Sequence, residues 1–421
     1  MLSRVRSNYA GLPREVLVLT SVAFCVAVGF GMFMPVLTLF AKQFGVSDFA
    51  ASLIVSLFAA ARLLSTGPSA WMTNKFGEAK VLAAGLAIVS VTSVMVGFAH
   101  SYPEFLIWRT AGGLGSAMFT VSALALLLRV TPAHLRGRAS GLYQGGFVLG
   151  NITGPGIGAL FAFSLRVPFF VNAGMVLAAT VVTLVMLLHA RFAVEPQEPA
   201  AEDEPNPLEN LRGFAGLMHG MRLPVYRVVV IAALVQGFVL YGMRNAVIPL
   251  FAVHELGGSS RLASLAFGLG SVSNALLLYR AGRTSDLRGR KPAFLLGAGG
   301  VLLGVTLLAS PSHVSTFLIS AVAFGVGGAF LGASMPAMLG DVTRGARGGV
   351  LIAVYQAASD LGTILGPFIG GAILEQTRSY TWTFGSGVAL VAVMFLLGVR
   401  VPESRPRQHQ ATPTSAALPV D

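Results

Sequence analysis

The sequence predicts an all-α membrane protein of twelve transmembrane helices, arranged as two six-helix pseudo-symmetric bundles. Three observations carry that prediction. Of the 421 residues 54% are hydrophobic and 11% charged, a balance that a water-soluble core and surface cannot share out. Apolar runs of about 20 residues, enough to cross a bilayer core of about 30 Å as a helix, recur along the whole chain. A glycine-proline phrase, GNITGPGIGA (Gly150 to Ala159), returns as GTILGPFIGG (Gly362 to Gly371) in the second half of the chain.

The first run, Val16 to Phe40, follows Arg4, Arg6 and Arg14 as the core of a signal peptide would. It is too long for one and lacks a small-residue cleavage site, so it is read as a retained helix. The second, third and fourth runs are Phe49 to Met72, Val81 to His100 and Glu104 to Leu128, with Arg62 in the second and Arg109 in the fourth. In the fifth, Ala139 to Phe163, Gly150, Gly154 and Gly158 recur every four residues and make a bare stripe that lets another helix approach closely. Pro155 removes one backbone donor and bends that helix. Such a bend is tolerable in hydrocarbon only where neighbours satisfy the freed carbonyl, so the helix is expected at the interface between the halves, where the glycines either allow tight packing or prevent leakage. The sixth run is Pro168 to His189.

A proline-rich, acidic stretch, VEPQEPAAEDEPNPLENLRGFAGLMHGMRLP, then separates six helices from six. It divides the chain into an N-terminal bundle (1–190), a cytoplasmic linker (191–224) and a C-terminal bundle (225–402), with Leu208 to Met221 as a candidate surface helix within the linker. The seventh to tenth runs are Tyr226 to Ala252, Leu262 to Tyr279, Pro292 to Pro311 and Thr316 to Leu339. The eleventh, Val350 to Leu374, repeats the stripe as Gly362, Gly366 and Gly370 with Pro367, and the twelfth is Thr383 to Val399. The tail, 403–421, is expected to be disordered and cytoplasmic.

The phrase belongs to a wider repeat. Shifted by 212, Tyr143 to Leu160 meets Tyr355 to Ala372 with nine identities in eighteen positions, and Asn74, Gly77, Gly113 and Gly115 fall on Asp286, Gly289, Gly325 and Gly327. One offset over several loops and helices marks parallel structural repeats.

A net charge of +12 invites a nucleic-acid reading, which the placement of the 29 Lys and Arg residues excludes. With the N-terminus inside, 22 fall in cytoplasmic segments and four outside (Lys42, Arg166, Arg261 and Arg378), a topology signal with both termini cytoplasmic. The lone Cys25 excludes an internal disulfide, and seven scattered histidines give no metal-ligand spacing, so no cofactor is expected. No Gly-Lys dipeptide occurs, so a Walker-type phosphate loop is absent, and neither HExxH nor GxSxG is present. Transport driven by an ion gradient, rather than enzymatic chemistry, is the expectation.

Over essentially its whole length the chain resembles the major facilitator superfamily, and four stretches carry the likeness. GRTSDLRGRK (Gly282 to Lys291) is similar to the family's signature loop of glycine, aspartate, then glycine and a basic pair. The equivalent loop AWMTNKFGEAK departs from it, with Asn74 in place of aspartate and Glu78 in place of a basic residue. RTAGGLGSA (Arg109 to Ala117) resembles the family's arginine followed by closely spaced glycines, and the fifth-run phrase looks like the antiporter motif of drug and proton exporters.

The resemblance implies that Arg109 is linked to proton coupling. It also implies that Asp286 with Arg288, Arg290 and Lys291 latches one conformation, where a solvated turn is the plainer alternative. On this reading Asn74 leaves the other half without a charged latch. The conformational gate is thus assigned to Asp286, Arg290, Asn74, Gly154, Pro155, Gly366 and Pro367. The first run carries no acid, although many drug and proton antiporters of the family have one there.

Intramembrane charges cost several kcal/mol unless paired or hydrated, so Asp360, Arg109, Arg62 and Arg244 are expected to face the interior as a charge network. A carboxylate shielded from water can exchange a proton near neutral pH. Asp360, with Gln356 one turn before it on the same face, is therefore the candidate proton-carrying or substrate-sensing acid, and a permanent pair with an arginine is the alternative. For Arg109 the alternative is a capped helix end near the outer surface, and for Arg62 a partner snorkelling toward the cytoplasm. Gln236, Leu240 and Arg244 fall at four-residue steps with Tyr241 and Asn245 beside them, and Gln144 and Asn151 share a face seven apart. These polar residues either line the substrate cavity or hold helices together.

Three intramembrane arginines against one aspartate leave about +2 in the interior, which favours neutral or anionic amphiphiles over quaternary amines. The leading expectation is a proton-coupled exporter of amphipathic small molecules in the cell membrane, working by alternating access around a midplane site. Its expected partners are that substrate, protons and membrane lipids, with no nucleic acid, and it is expected to act as a monomer. A lipid or glycolipid flippase is the second reading, and a non-transporting membrane sensor a third.

Overall fold

The computed structural model describes residues 12–132, 135–161, 163–189, 218, 220–310, 313–343 and 349–404. Twelve long helices run through them. The first six are α1 (Arg14–Lys42), α2 (Asp48–Phe76), α3 (Glu78–Phe98), α4 (Tyr102–Val130), α5 (Arg136–Leu160) and α6 (Val167–His189). The second six are α7 (Pro224–His254), α8 (Ser260–Leu287), α9 (Arg290–Ala309), α10 (Val314–Thr343), α11 (Gly349–Thr377) and α12 (Tyr380–Arg400). Eleven are long and apolar enough to cross a membrane, and α5 falls short because glycines replace larger apolar residues along it. The linker from 191 to 217 and the tail from 405 lie outside the described residues; of the candidate surface helix, Met218, Gly220 and Met221 are described, and they are helical.

Local chemistry sets the helix ends. The Ser47 hydroxyl accepts the Ala50 N–H at 3.2 Å, and Glu104 turns back to accept the His100 N–H at 2.9 Å, so orphan donors at the starts of α2 and α4 are satisfied. Left-handed backbone at Gly45 (φ 72°) and Gly77 (φ 90°) reverses the chain, and the same conformation returns at their repeat partners, Gly257 (φ 61°) and Gly289 (φ 119°). All four turns need a residue without Cβ, so the repeat is written into backbone geometry as well as sequence.

Glycines also set the packing, and here the structure corrects an expectation. The stripes on α5 and α11 face into their own halves, not across the interface. A Cβ on Gly154 would sit 2.5 Å from the Val28 carbonyl of α1, and Gly366 lies against the Phe238 carbonyl of α7. Pro155 meets Gly31, and Pro367 meets Gly242, so both bent helices are buttressed by the first helix of their bundle. The reason is the bareness itself: a stripe without side chains gives the closest backbone approach, and that binds a bundle together permanently. Other faces of α5 and α11 meet the opposite half.

The halves differ in α7, whose middle, Gly237–Met243, is π-helical where α1 is regular. A π turn holds more residues per turn than an α turn, so a four-residue step no longer returns to the same face: Gln236 and Leu240 are buried, Arg244 is half-buried and Tyr241 is exposed. Each bundle is filled by an aromatic cluster at the end away from the termini, around Phe105 in one half (5.1 Å from Phe40) and Phe317 in the other (5.9 Å from Phe251).

Candidate functional site

The two bundles meet along antiparallel α2 and α11 and along α5 and α8. Crossing contacts gather toward the end away from Arg14 and Arg400. There the Phe49 N–H donates to Glu375 at 3.4 Å, the Phe49 and Phe368 rings lie 5.3 Å apart, and the Ser56 hydroxyl donates to the Ile364 carbonyl at 2.7 Å. His254 of α7 lies 3.9 Å from Asp48 of α2, which also pairs with Lys42 at 3.0 Å. On the second seam the Ser271 hydroxyl donates to the Asn151 carbonyl at 3.2 Å, while the Asn151 amide is held by its own helix at Phe147.

Beyond Ser56, toward the termini, the α2–α11 seam brings Arg62 and Asp360 together. Asp360 is half-buried and forms no ion pair among the described residues, and the charge that acts on it is Arg62. Among the described residues, the pairing of Asp360 with an arginine is thus not formed in this state. Gln356, one turn away, is exposed, as is Gln144 on α5.

Arg109 is not at a capped helix end. It lies well inside α4, 8% exposed, with its guanidinium carbon 3.9 Å from the Phe58 ring centre, 4.7 Å from Phe33 and 5.6 Å from Phe30. The desolvated Phe58 contact is worth about 2 kcal/mol, less than the several kcal/mol of an uncompensated buried charge. Its Nε and Nη2 have no hydrogen-bond partner among the described residues, and it lines a cavity of about 40 Å³ inside the N-terminal bundle. That space holds water, not a drug-sized molecule.

Arg244 does in the other half what Arg109 does in the first, from a different helix. The repeat carries Phe58 and Arg109 onto Gly270 and Ala321. A Cβ on Gly270 would lie 2.9 Å from Arg244 Nη2 and 2.9 Å from the Ala321 carbonyl, so the guanidinium fills the equivalent space. It lies 4.7 Å from the Phe267 ring, with the Tyr241 hydroxyl group in its field. Asn245 is committed to the Tyr241 carbonyl at 2.8 Å.

At the end that holds the termini, Arg290 pairs with Asp286 in a close contact and with Asp341 of α10 at 3.2 Å, and Ser404 donates to Asp341 at 3.1 Å. Contrary to what Asn74 implied, the second loop also has a charged contact. Asn74 itself is exposed, but Glu78 pairs with Arg129 of α4 at 2.6 Å. The repeat carries Glu78 and Arg129 onto Arg290 and Asp341, so the same pair stands in both halves with its signs exchanged. The signal was present in the sequence as two sign changes at one offset.

The Major Facilitator Superfamily model matches residues 19–252 and again 229–419, once over each half. The chain belongs to the Major Facilitator Superfamily. Multidrug resistance protein 2 of Bacillus subtilis (strain 168) is 24% identical over 383 residues, 90% of this chain and 93% of that protein. Quinolone resistance protein NorA of Staphylococcus aureus is 22% identical, over 92% of this chain and 96% of its own. Among solved folds, a bacterial homolog of the human lysosomal transporter Spinster, inward-facing and unoccupied, superposes with a TM-score of 0.69 at 18% identity, over 92% of this chain and 96% of that one. The D-xylose-proton symporter gives 0.66 at 19% identity, over 93% and 98%. The solved structures show that this superfamily member shares their fold.

Proposed function

We propose that the chain is a proton-coupled secondary exporter of amphipathic small molecules, working by alternating access across the cell membrane. One observation carries the mechanism. The α2–α11 seam is closed at one end by Phe49, Ser56 and Glu375, and Asp360 stands beyond that closure, opposite Arg62 and without an ion pair among the described residues. With both termini cytoplasmic, the closed end faces outward and this state opens inward.

In this reading a proton taken by Asp360 removes its attraction to Arg62 and lets the seam reorganise. Substrate binding in the space near Gln356 and Tyr241 competes for the same charge. The ion pairs at the terminal end hold each bundle together while the bundles rock, and His254 with Asp48 joins the halves at the closed end. The multidrug and quinolone resistance relatives support amphipathic cargo.

The test is substrate-induced proton flux in proteoliposomes, with cationic, neutral and anionic amphiphiles and labelled phospholipid, for the parent chain and Asp360→Asn. Drug-driven proton movement that the substitution abolishes, with binding retained, supports the reading. Lipid crossing without proton movement would replace it with a flippase.

A further inference from the structure

We infer that His254 is an outward-facing proton site that, once protonated, closes the outer end by pairing across the halves with Asp48; the inference rests on the exporter reading, in which that end faces outward. Three observations meet at one carboxylate. First, Asp48 Oδ1 is buried and accepts no hydrogen bond among the described residues. Lys42 Nζ lies 3.0 Å from it but donates to the Val46 carbonyl at 2.9 Å, which leaves an acceptor to fill. Second, His254 Nδ1 of the opposite half stands 3.9 Å from that same oxygen and 3.5 Å from the Tyr380 hydroxyl of its own half. Third, the repeat offset carries Lys42 onto His254, so equivalent helix ends present a permanent cation and a titratable one to a single acid.

The imidazole has two partners and one nitrogen for both. Neutral with Nδ1 bare, it accepts the Tyr380 hydroxyl and stays with the C-terminal half; protonated, Nδ1 becomes a donor and turns to Asp48. The proton adds an attraction that exists only while the halves touch, so acid favours the closed end. Lys42 shares the carboxylate and repels the imidazolium, so the gain is a fraction of a full ion pair. Of the other charged groups on the helix ends around it, Glu255 on α7, Arg261 on α8 and Glu375 and Arg378 on α11 are exposed, where solvent and salt screen them. Closure on taking an external proton follows the order that antiport needs: substrate leaves, a proton arrives, and the protein turns back inward.

The experiment measures, by electron spin resonance, the distance between spin labels at Gln43→Cys and Gln376→Cys, two exposed positions at the outer end, one on each half. The full chain carries Cys25→Ser, so that only the labels react, and Asp360→Asn, so that the inner acid adds no response of its own. In lipid nanodiscs, going from about pH 8 to about pH 5.5 carries histidine through its charge change. The ratio of closed to open populations is expected to rise about two- to fivefold. His254→Gln and Asp48→Asn are each expected to abolish that rise, and His254→Lys, a permanent cation at the same place, to hold the acid distribution at both pH values. An outer distance that does not respond to pH, or a response that His254→Gln leaves intact, overturns the proposal. Substrate-driven proton flux in the parent chain is measured separately. Flux without this response keeps the exporter and removes the proton site at His254; the response without flux does the reverse.

Discussion

At the start of α3, Glu78 meets Arg129 of α4; at the start of α9, its counterpart in the second half, Arg290 meets Asp341 of α10. The two sites occupy equivalent places, between the same pair of helices and beside the same left-handed glycine, and differ in which side is the acid. The comparison teaches that the fold needs opposite charges there and is indifferent to their order. It also explains Asn74. In the C-terminal half Asp286 sits beside Arg290, but an aspartate at 74 would sit beside Glu78, acid against acid. The loop is recharged rather than degraded.

The pairs also differ in depth. Side chains of Arg290 and Asp341 are 17% and 13% exposed, against 50% and 20% for Arg129 and Glu78, so the C-terminal pair is less screened. The arginines of the bundle interiors show the same freedom: Arg109 comes from α4 and Arg244 from α7, yet both fill the space beside α2 or its counterpart α8.

The strongest break of this symmetry is at the stripes. Gly154→Val and Gly366→Val push side chains into the carbonyls of Val28 and Phe238, and each is expected to lower stability by at least about 1–3 kcal/mol. Gly156→Val, where nothing lies within 4 Å, is expected to leave it nearly unchanged. Thermal melting in detergent reads all three, and equal melting of the Gly156 and Gly154 variants would remove the buttress argument.

Next comes Asp341→Arg, which sets two cations together in the deeper pair and is expected to cost about 3 kcal/mol. Adding Arg290→Glu together with Asp286→Asn reproduces the charge order and the uncharged loop residue that the N-terminal half uses, and most of the melting temperature is expected to return. A triple variant no better than the single would mean that the order of charges matters after all.

A smaller effect is expected from Glu78→Gln, about 0.2–1 kcal/mol for a partly exposed pair, and visibly less than from Asp341→Asn. The smallest is Asn74→Asp, about 0.5 kcal/mol of like-charge repulsion with Glu78, screened away by salt. Stabilisation by that substitution would contradict the account of the loop.

Much of the architecture was legible because the bilayer permits little else: long apolar helices, a constant offset, and basic residues gathered on alternate loops. Asp360 and the three arginines were found by the cost of charge in hydrocarbon. The residues around them were harder. The Phe30, Phe33 and Phe58 rings read as ordinary apolar positions until α1, α2 and α4 came together around Arg109. The stripe of α5 was visible, but which helix it receives was not, since a bare face carries no address.

By itself, then, the sequence determined the number and order of the helices, their twofold repeat and their membrane setting, because these follow from hydropathy and spacing along one chain, while helix ends such as that of α8, which runs on to Leu287, did not. Only the tertiary structure decided that Glu78 finds Arg129 across the α3–α4 hairpin, that the stripes close each bundle on itself, that a π turn breaks the face of α7, and that Arg244 stands in for Arg109. Those outcomes depend on which backbones approach closely enough to exclude a side chain or to join two charges, and that is settled by packing in three dimensions.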